Sequence, residues 1–403
     1  MESDSRRDDA APRPSAHEST HESTQAGAHP PRSIRGGDAD LVAYALAGIG
    51  YLPWDSVMHV ALLDLGGGRL GSGTVARTDV AAVLDARVGG LMVANLRTSL
   101  VRAGAAQVAV VVTGRPPQRA QSFRTARTRA RVRAAACALP RPFARVEQAI
   151  LVEGDRYGHV RCPATCCPPD GRPLMEVRAS RVATVEAFEG RGPVASREDL
   201  GVTPSRDAAR RAAVRAAAHG AGIIDHDDRV AACATWDAAL TQLAASPVVD
   251  PAGLDPADLG VLAAALADRR ARDAMLGAVF TAPHASCEGR GTLGSAVLLD
   301  PEELSDRLAT SGRPPRDRAR LADVVLGAVA AHAPLPLRVH ALASLGYLRW
   351  WTGQGVQADV VTCQALADDP EHTLAGLVRQ VLIAHVPPPW FAGVASVGAR
   401  QAG

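Results

Sequence analysis

The chain of 403 residues contains no lysine, so arginine and histidine carry all its side-chain positive charge. Arginine stays protonated at neutral pH, so it cannot condense with a carbonyl to a Schiff base or act as a neutral amine base. Pyridoxal chemistry, Schiff-base aldolases, a Walker-A phosphate loop and the protein-kinase mechanism all need a lysine and are excluded. A single asparagine, Asn95, points to a G- and C-rich coding bias as the origin, but the exclusion holds whatever the cause. Aromatic residues make up only 3% of the chain, so alanine, valine and leucine must fill most of the core. No apolar run approaches the ~20 residues of a membrane span. Met1 to Asp40 holds no apolar signal core, which predicts a cytoplasmic protein without membrane contact. Neither a G-x-S-x-G elbow nor a paired-carboxylate motif is present. The cysteines number seven, an odd count, and are mostly scattered, which argues against a secreted disulfide framework.

What is present divides the chain. A length of 403 residues suits two cores better than one. Residues 1–37 are polar, without apolar period, and carry the tandem repeat His17-Glu18-Ser19-Thr20, His21-Glu22-Ser23-Thr24; a disordered tail is expected. The repeat spells H-E-x-x-H, but serine and threonine are poor helix formers and no apolar stripe would dock the segment, so we read a chance match. From Asp40 the spacing predicts a helix at Leu41–Ile49 and strands at Ser56–Leu63 and Arg69–Val80. Gly66-Gly67-Gly68 reads as a hairpin turn, because a strand follows where a phosphate loop needs a helix. A helix at Val83–Ala103 precedes Gln107–Thr113, whose continuous apolar run predicts a strand buried on both faces. A helix at Gln118–Ala138 and a hairpin of Val146–Gly154 with Arg156–Arg161 complete an α/β unit, residues 38–200, with a mixed sheet, hairpins and flanking helices.

Past Gly171 only helices are expected: Arg178–Glu189, Ser205–His219, Ala231–Ala245, Pro256–Leu276, Pro301–Thr310, Arg316–His332, Pro336–Trp351, Gln354–Ala367 and Glu371–Ala384. Those from Ser205 on form an all-α unit, residues 201–390, before a tail at 391–403. Leu345, Gly346, Ala358, Ala365 and Pro370 fall at the small-residue and turn positions of a tetratricopeptide-like helix pair. One unit makes no solenoid, so an αα-hairpin within a bundle is the simpler reading.

Three features could carry chemistry. Cys162, Cys166 and Cys167 stand within six residues of a proline-rich turn. They could supply zinc ligands, with His159 or Cys137 as a fourth. They could instead form a redox pair, or simply pack a rigid turn as small buried side chains. The spacing is not the C-x-x-C of zinc ribbons, and neighbouring side chains of extended chain point apart; packing is the leading reading. Second, nine arginines and no acid lie between Arg115 and Arg145, while the chain as a whole is only +2. Arg124, Arg127 and Arg131 share a helical face, a stripe that nucleic acid or phosphate would fit. Only Phe123 and Phe143 are available for stacking, so a solvated face offset by acids elsewhere is the plainer account. Third, Gly114 and Arg115 follow the strongest strand, and ligands of open α/β sheets gather at carboxyl strand ends. His59, within a strand, reads as a packing residue.

Several landmarks also resemble a known family. Gly50-Tyr51-Leu52-Pro53-Trp54-Asp55-Ser56-Val57, Arg77-Thr78-Asp79 and Cys166-Cys167-Pro168-Pro169-Asp170-Gly171 with Cys162 upstream come first in order. Ser196-Arg197-Glu198, Arg272-Asp273 and Asp369-Pro370-Glu371-His372 with Leu374-Ala375 follow. Together they are similar to an uncharacterised actinobacterial family, domain of unknown function 4192, from Asp40 to Trp390. The Cys162–Cys166 spacing is shorter than that family's, and the arginine run is peculiar to this chain. The resemblance implies the architecture and brings no activity. Two functions of different class therefore stand. One is a non-enzymatic interaction or regulatory protein with a protein partner. The other is an enzyme or small-ligand-binding protein using the edge near Gly114 and the Cys162–Cys167 loop.

Overall fold

A computed structural model describes residues 37–64, 70–85, 89–102, 105, 107–115, 125–127, 129–130, 145–160, 167–222, 225–280, 301–310 and 314–390. The N-terminal tail, the Gly66-Gly67-Gly68 turn, Cys137, Cys162, Cys166, most of Gln118–Ala138 and the tail at 391–403 lie outside these residues.

The first half is built on strands β1 (Ser56–Asp64), β2 (Leu70–Asp79), β3 (Gln107–Gly114), β4 (Arg145–Glu153), β5 (Arg156–His159) and β6 (Arg172–Pro173). They form one mixed sheet in the order β2-β1-β3-β4-β5-β6. Only β3 and β4 run parallel. The run at 107–113 thus becomes the sheet's centre, as its apolar continuity predicts. Its alternate residues serve two cores: Ala109 and Val111 face one side, Val108, Val110 and Val112 the other. On the first side lie helices α1 (Asp38–Ile49), α4 (Met175–Arg178) and α5 (Arg181–Phe188), through residues such as Leu41, Ile49 and Val177. On the second lie α2 (Val80–Leu84) and α3 (Gly89–Arg102), with Ala126 and Ala130 beside them. The helix expected at Val83–Ala103 is thus two helices. Gly50 closes α1 at φ +89°, a conformation that side-chain-bearing residues resist.

The second half contains α6 (Ala208–Gly220), α7 (His226–Ala245), α8 (Pro256–Ala267), α9 (Arg269–Phe280), α10 (Pro301–Thr310), α11 (Arg316–His332), α12 (Leu337–Trp351), α13 (Gly355–Asp368) and α14 (Thr373–Ile383). Among the described residues no strand follows Pro173. The helix expected over Pro256–Leu276 breaks at Asp268, whose carboxylate accepts from the backbone N–H of Ala271 at 2.9 Å and starts a new helix. The core is aliphatic with a few large rings: Phe280 stacks on Trp351 at 4.7 Å, and Trp236 is fully buried. Gly353, at φ +84°, lies in the three-residue turn between α12 and α13. Leu345, Ala358 and Ala365 are buried at their contact. The pair is an αα-hairpin, and beyond its small residues nothing marks it as a tetratricopeptide unit.

Between the halves the core changes at Leu200, which packs on the sheet side, and Val202, which packs among the helices. Arg349 donates to the Leu200 carbonyl at 2.9 Å and Arg338 to that of Val202 at 3.1 Å. Gln364 accepts from the Val202 N–H at 2.9 Å. No helix among the described residues is long and apolar enough to cross a membrane.

Candidate functional site

Strand alternation sets the site's starting point. Tyr157 on β5 packs in the α1-side core, so His159, two residues on, points to the same side. There the first turn of α1 presents Asp38, and His159 Nε2 lies 3.0 Å from Asp38 Oδ1. The other ring nitrogen, Nδ1, lies 3.5 Å from the Sγ of Cys167. The carboxylate can only accept here, so it assigns the ring proton to Nε2 and turns the Nδ1 lone pair toward the thiol. Cys167 is buried at 4% exposure, and the side chains of His159 and Asp38 are only 21% and 14% exposed. The result is a thiol–imidazole–carboxylate chain in a mostly water-excluded place.

The surroundings hold this chain in position. Gly171 N–H donates to the Pro168 carbonyl at 2.9 Å, and the φ of +74° at Gly171 turns the chain back from Cys167 toward β6. Asp40, two residues after Asp38 on another face of α1, accepts from the Val182 N–H at 3.0 Å and so ties α1 to α5. Tyr157 donates to Glu176 at 2.8 Å; burial and then that bond push the Tyr157 phenol up to about 12.

The structure separates the other expected site residues from this one. Gly114 and Arg115 lie at the end of β3, where Gly114 pairs with Glu153 of β4. His159 pairs with Ile150, three residues back along β4, about 10 Å by strand rise. Arg115 is exposed and its Nε lies 3.3 Å from Asp55. Of the arginine stripe, only Arg127 falls among the described residues, and it donates to the Pro168 carbonyl at 3.4 Å. Arg129 pairs at 2.8 Å with Glu153, a buried acid. Arg127 therefore borders the turn that follows Cys167, and Arg129 is offset by an acid from the sheet. His59 is buried in β1, at 1% exposure.

Among the described residues, no three His, Cys, Asp or Glu side chains converge on one point, since Cys167 and Asp38 address opposite nitrogens of the same ring. Sequence reasoning named His159 and Cys167 but missed Asp38. The only signal was an acid in the first turn of a helix, a common feature that names no partner.

A family model described as a domain of unknown function (DUF4192) matches residues 39–289 and 292–389. The chain belongs to this family. The match includes His159, Cys167 and the junction at 200–202, and Asp38 stands one residue before it. This DUF4192 protein matches no curated protein and no solved structure.

Proposed function

We propose that this DUF4192 protein is a non-enzymatic cytoplasmic regulatory or interaction protein whose sheet layer carries a structural zinc site. In this reading His159 Nδ1 and Cys167 Sγ are two of the ligands, and Cys162 and Cys166, close by in the sequence, are the others. The observation that carries it is the 3.5 Å between Sγ and Nδ1. Zinc bonds of about 2.3 Å to sulfur and about 2.0–2.1 Å to nitrogen, at a tetrahedral angle, set the same edge at about 3.5 Å. Zinc-bound histidine characteristically gives its other N–H to a carboxylate, and Asp38 stands there. Burial of Cys167 favours a closed structural site, because a catalytic metal keeps a position open to substrate. The units at 38–200 and 201–390 and the tails at 1–37 and 391–403 are part of the same proposal. Cys233 and Cys363, which form no disulfide, suit a reducing compartment. A protein partner is favoured over nucleic acid or phosphate, because Arg115 and Arg129 are already paired with Asp55 and Glu153.

Metal analysis of protein purified without added zinc should find about one zinc per chain, with thermal stability lost to a chelator. Cys167→Ala and His159→Ala should each lower the metal content. Metal-free protein of unchanged stability overturns the reading. The order thiol, imidazole, carboxylate also fits an activated nucleophile. That second reading requires metal-free protein in which Cys167 is alkylated quickly at neutral pH and loses this reactivity in His159→Ala.

A further inference from the structure

A second polar cluster lies in the helical half, far along the chain from the cysteine turn. His372 is buried at the N-cap of α14, and its Nδ1 accepts from the backbone N–H of Ala375 at 3.3 Å. The ring proton therefore sits on Nε2, which lies 2.9 Å from Nδ1 of His340 on α12. His340 must accept in that bond, so its own proton is on Nε2. Each ring thus has its Nδ1 lone pair occupied by an N–H. A proton on His372 Nδ1 would face the Ala375 N–H and remove the helix cap. A proton on His340 Nδ1 would face the His372 N–H and replace attraction with repulsion. Both bonds exist only when both rings are neutral.

The charges facing the pair come from two places. Arg272 on α9 is the nearby cation, held by Asp273 at 2.8 Å. Asp369, in the turn before α14, is the nearby acid, and its carboxylate accepts from the Glu371 N–H at 3.1 Å. Burial first, then His372 and Arg272, hold the proton affinity of His340 below the ordinary histidine range, with Asp369 opposing. Burial lowers His372 too, and Asp369 counters it while Arg272 adds to it.

What the cap holds is visible downstream. The segment after α14 is pinned to the α12 end from both sides: the Trp350 indole of α12 donates to the Val386 carbonyl at 3.0 Å, and the Trp390 indole of the segment donates to the Trp351 carbonyl at 2.8 Å. We infer that the His340–His372 bond is an acid-sensitive latch: proton uptake by either ring opens the start of α14 and loosens the segment through Trp390. The sign follows from linkage. The closed form keeps both rings neutral, while an opened form binds protons below about pH 6.5, the ordinary histidine value. Closure is therefore fully favoured above that pH and weakens as pH falls.

The test is hydrogen exchange of the full-length protein between pH 7.5 and 5, corrected for intrinsic rates, with tryptophan fluorescence as a second readout. Opening of 373–390 should rise below about pH 6.5 by up to about tenfold per pH unit for each proton taken up. His372→Asn keeps a capping side chain without a titrating ring, and should flatten this dependence. His340→Gln leaves one titrating ring and should reduce the slope toward one proton. His385→Asn, at the far end of α14, should change neither. Wild-type exchange at 373–390 that ignores pH overturns the inference, as does a His372→Asn protein with the wild-type slope.

Discussion

The Cβ that Gly346 lacks would stand 2.4 Å from the Oγ1 of Thr362. This missing atom sets how closely α12 approaches α13, and both residues are fully enclosed by the hairpin they join. Alanine favours a helix interior over glycine by about 1 kcal/mol, so the sign of a substitution here depends on the contact. Overpacking of a closed core costs about 1–3 kcal/mol, and Thr362, at 0% exposure, has little room to yield. Gly346→Ala should therefore lower stability in urea, by up to about 2 kcal/mol net. Adding Thr362→Ala should recover most of that loss; a stabilised single variant would refute the argument.

Arg349 joins the two halves. One side of its guanidinium grips Asp323 at 2.7 and 3.1 Å while Nη1 reaches the Leu200 carbonyl. Methionine keeps the apolar stem but strands both acceptors, so Arg349→Met should cost about 1.5–3 kcal/mol, the range for hydrogen bonds to charged groups. Exchange protection at 198–202 should fall by more than that of the β3 amides. Uniform loss across the chain would show instead that the residue serves only the helical core.

Asp268 gives the helical half an acid-sensitive point of its own. Burial raises its carboxyl pKa, but the paired bonds from Arg229, at 3.1 and 3.0 Å, and the Ala271 N–H outweigh this and hold it below the usual range. A depressed folded pKa contributes stability that is present above the unfolded value, about 3.9 for aspartate, and is lost as pH falls through the folded value. Asp268→Asn should lower stability at pH 7 and narrow the difference from wild type near pH 3. An unchanged difference at the two pH values would count against it.

Asp38 acts on the proposed metal through His159. Asp38→Ala should leave the ligands in place yet weaken zinc binding by about 10–100-fold, the usual effect of losing a carboxylate behind a metal-bound histidine. Asp38→Asn, which can still accept from Nε2–H, should fall between that variant and wild type. Competition with a chromophoric chelator measures this directly, and equal affinity in all three proteins would remove Asp38 from the site.

Parts of this fold and site were legible in advance, for local reasons. Val108–Val112 is apolar at every residue, so only a strand covered on both faces satisfies it. The back half reads as helices because its apolar residues recur at helical spacing between Gly, Pro and Asp stops. The break at Asp268 was missed, since the flanking pattern is continuous and only the capping bond to Ala271 shows where one helix ends. His159 could be named beside Cys167 because eight residues separate them.

Other features depended on the tertiary structure. Asp38 and His159 lie 121 residues apart, and no local period links a helix's first turn to a strand that far downstream. Arg129 and Glu153 likewise met only because the chain crosses from β3 to β4 and brings a charge run over a buried acid. By itself the sequence determined which residues seek burial, which segments are helix or strand, and which chemistries the missing lysine forbids; these depend on side-chain type and short spacing. The tertiary structure decided which ionisable group each charge, thiol and imidazole faces. Such contacts close long loops, and their partners are selected by the packing of the whole core rather than by any nearby stretch of chain.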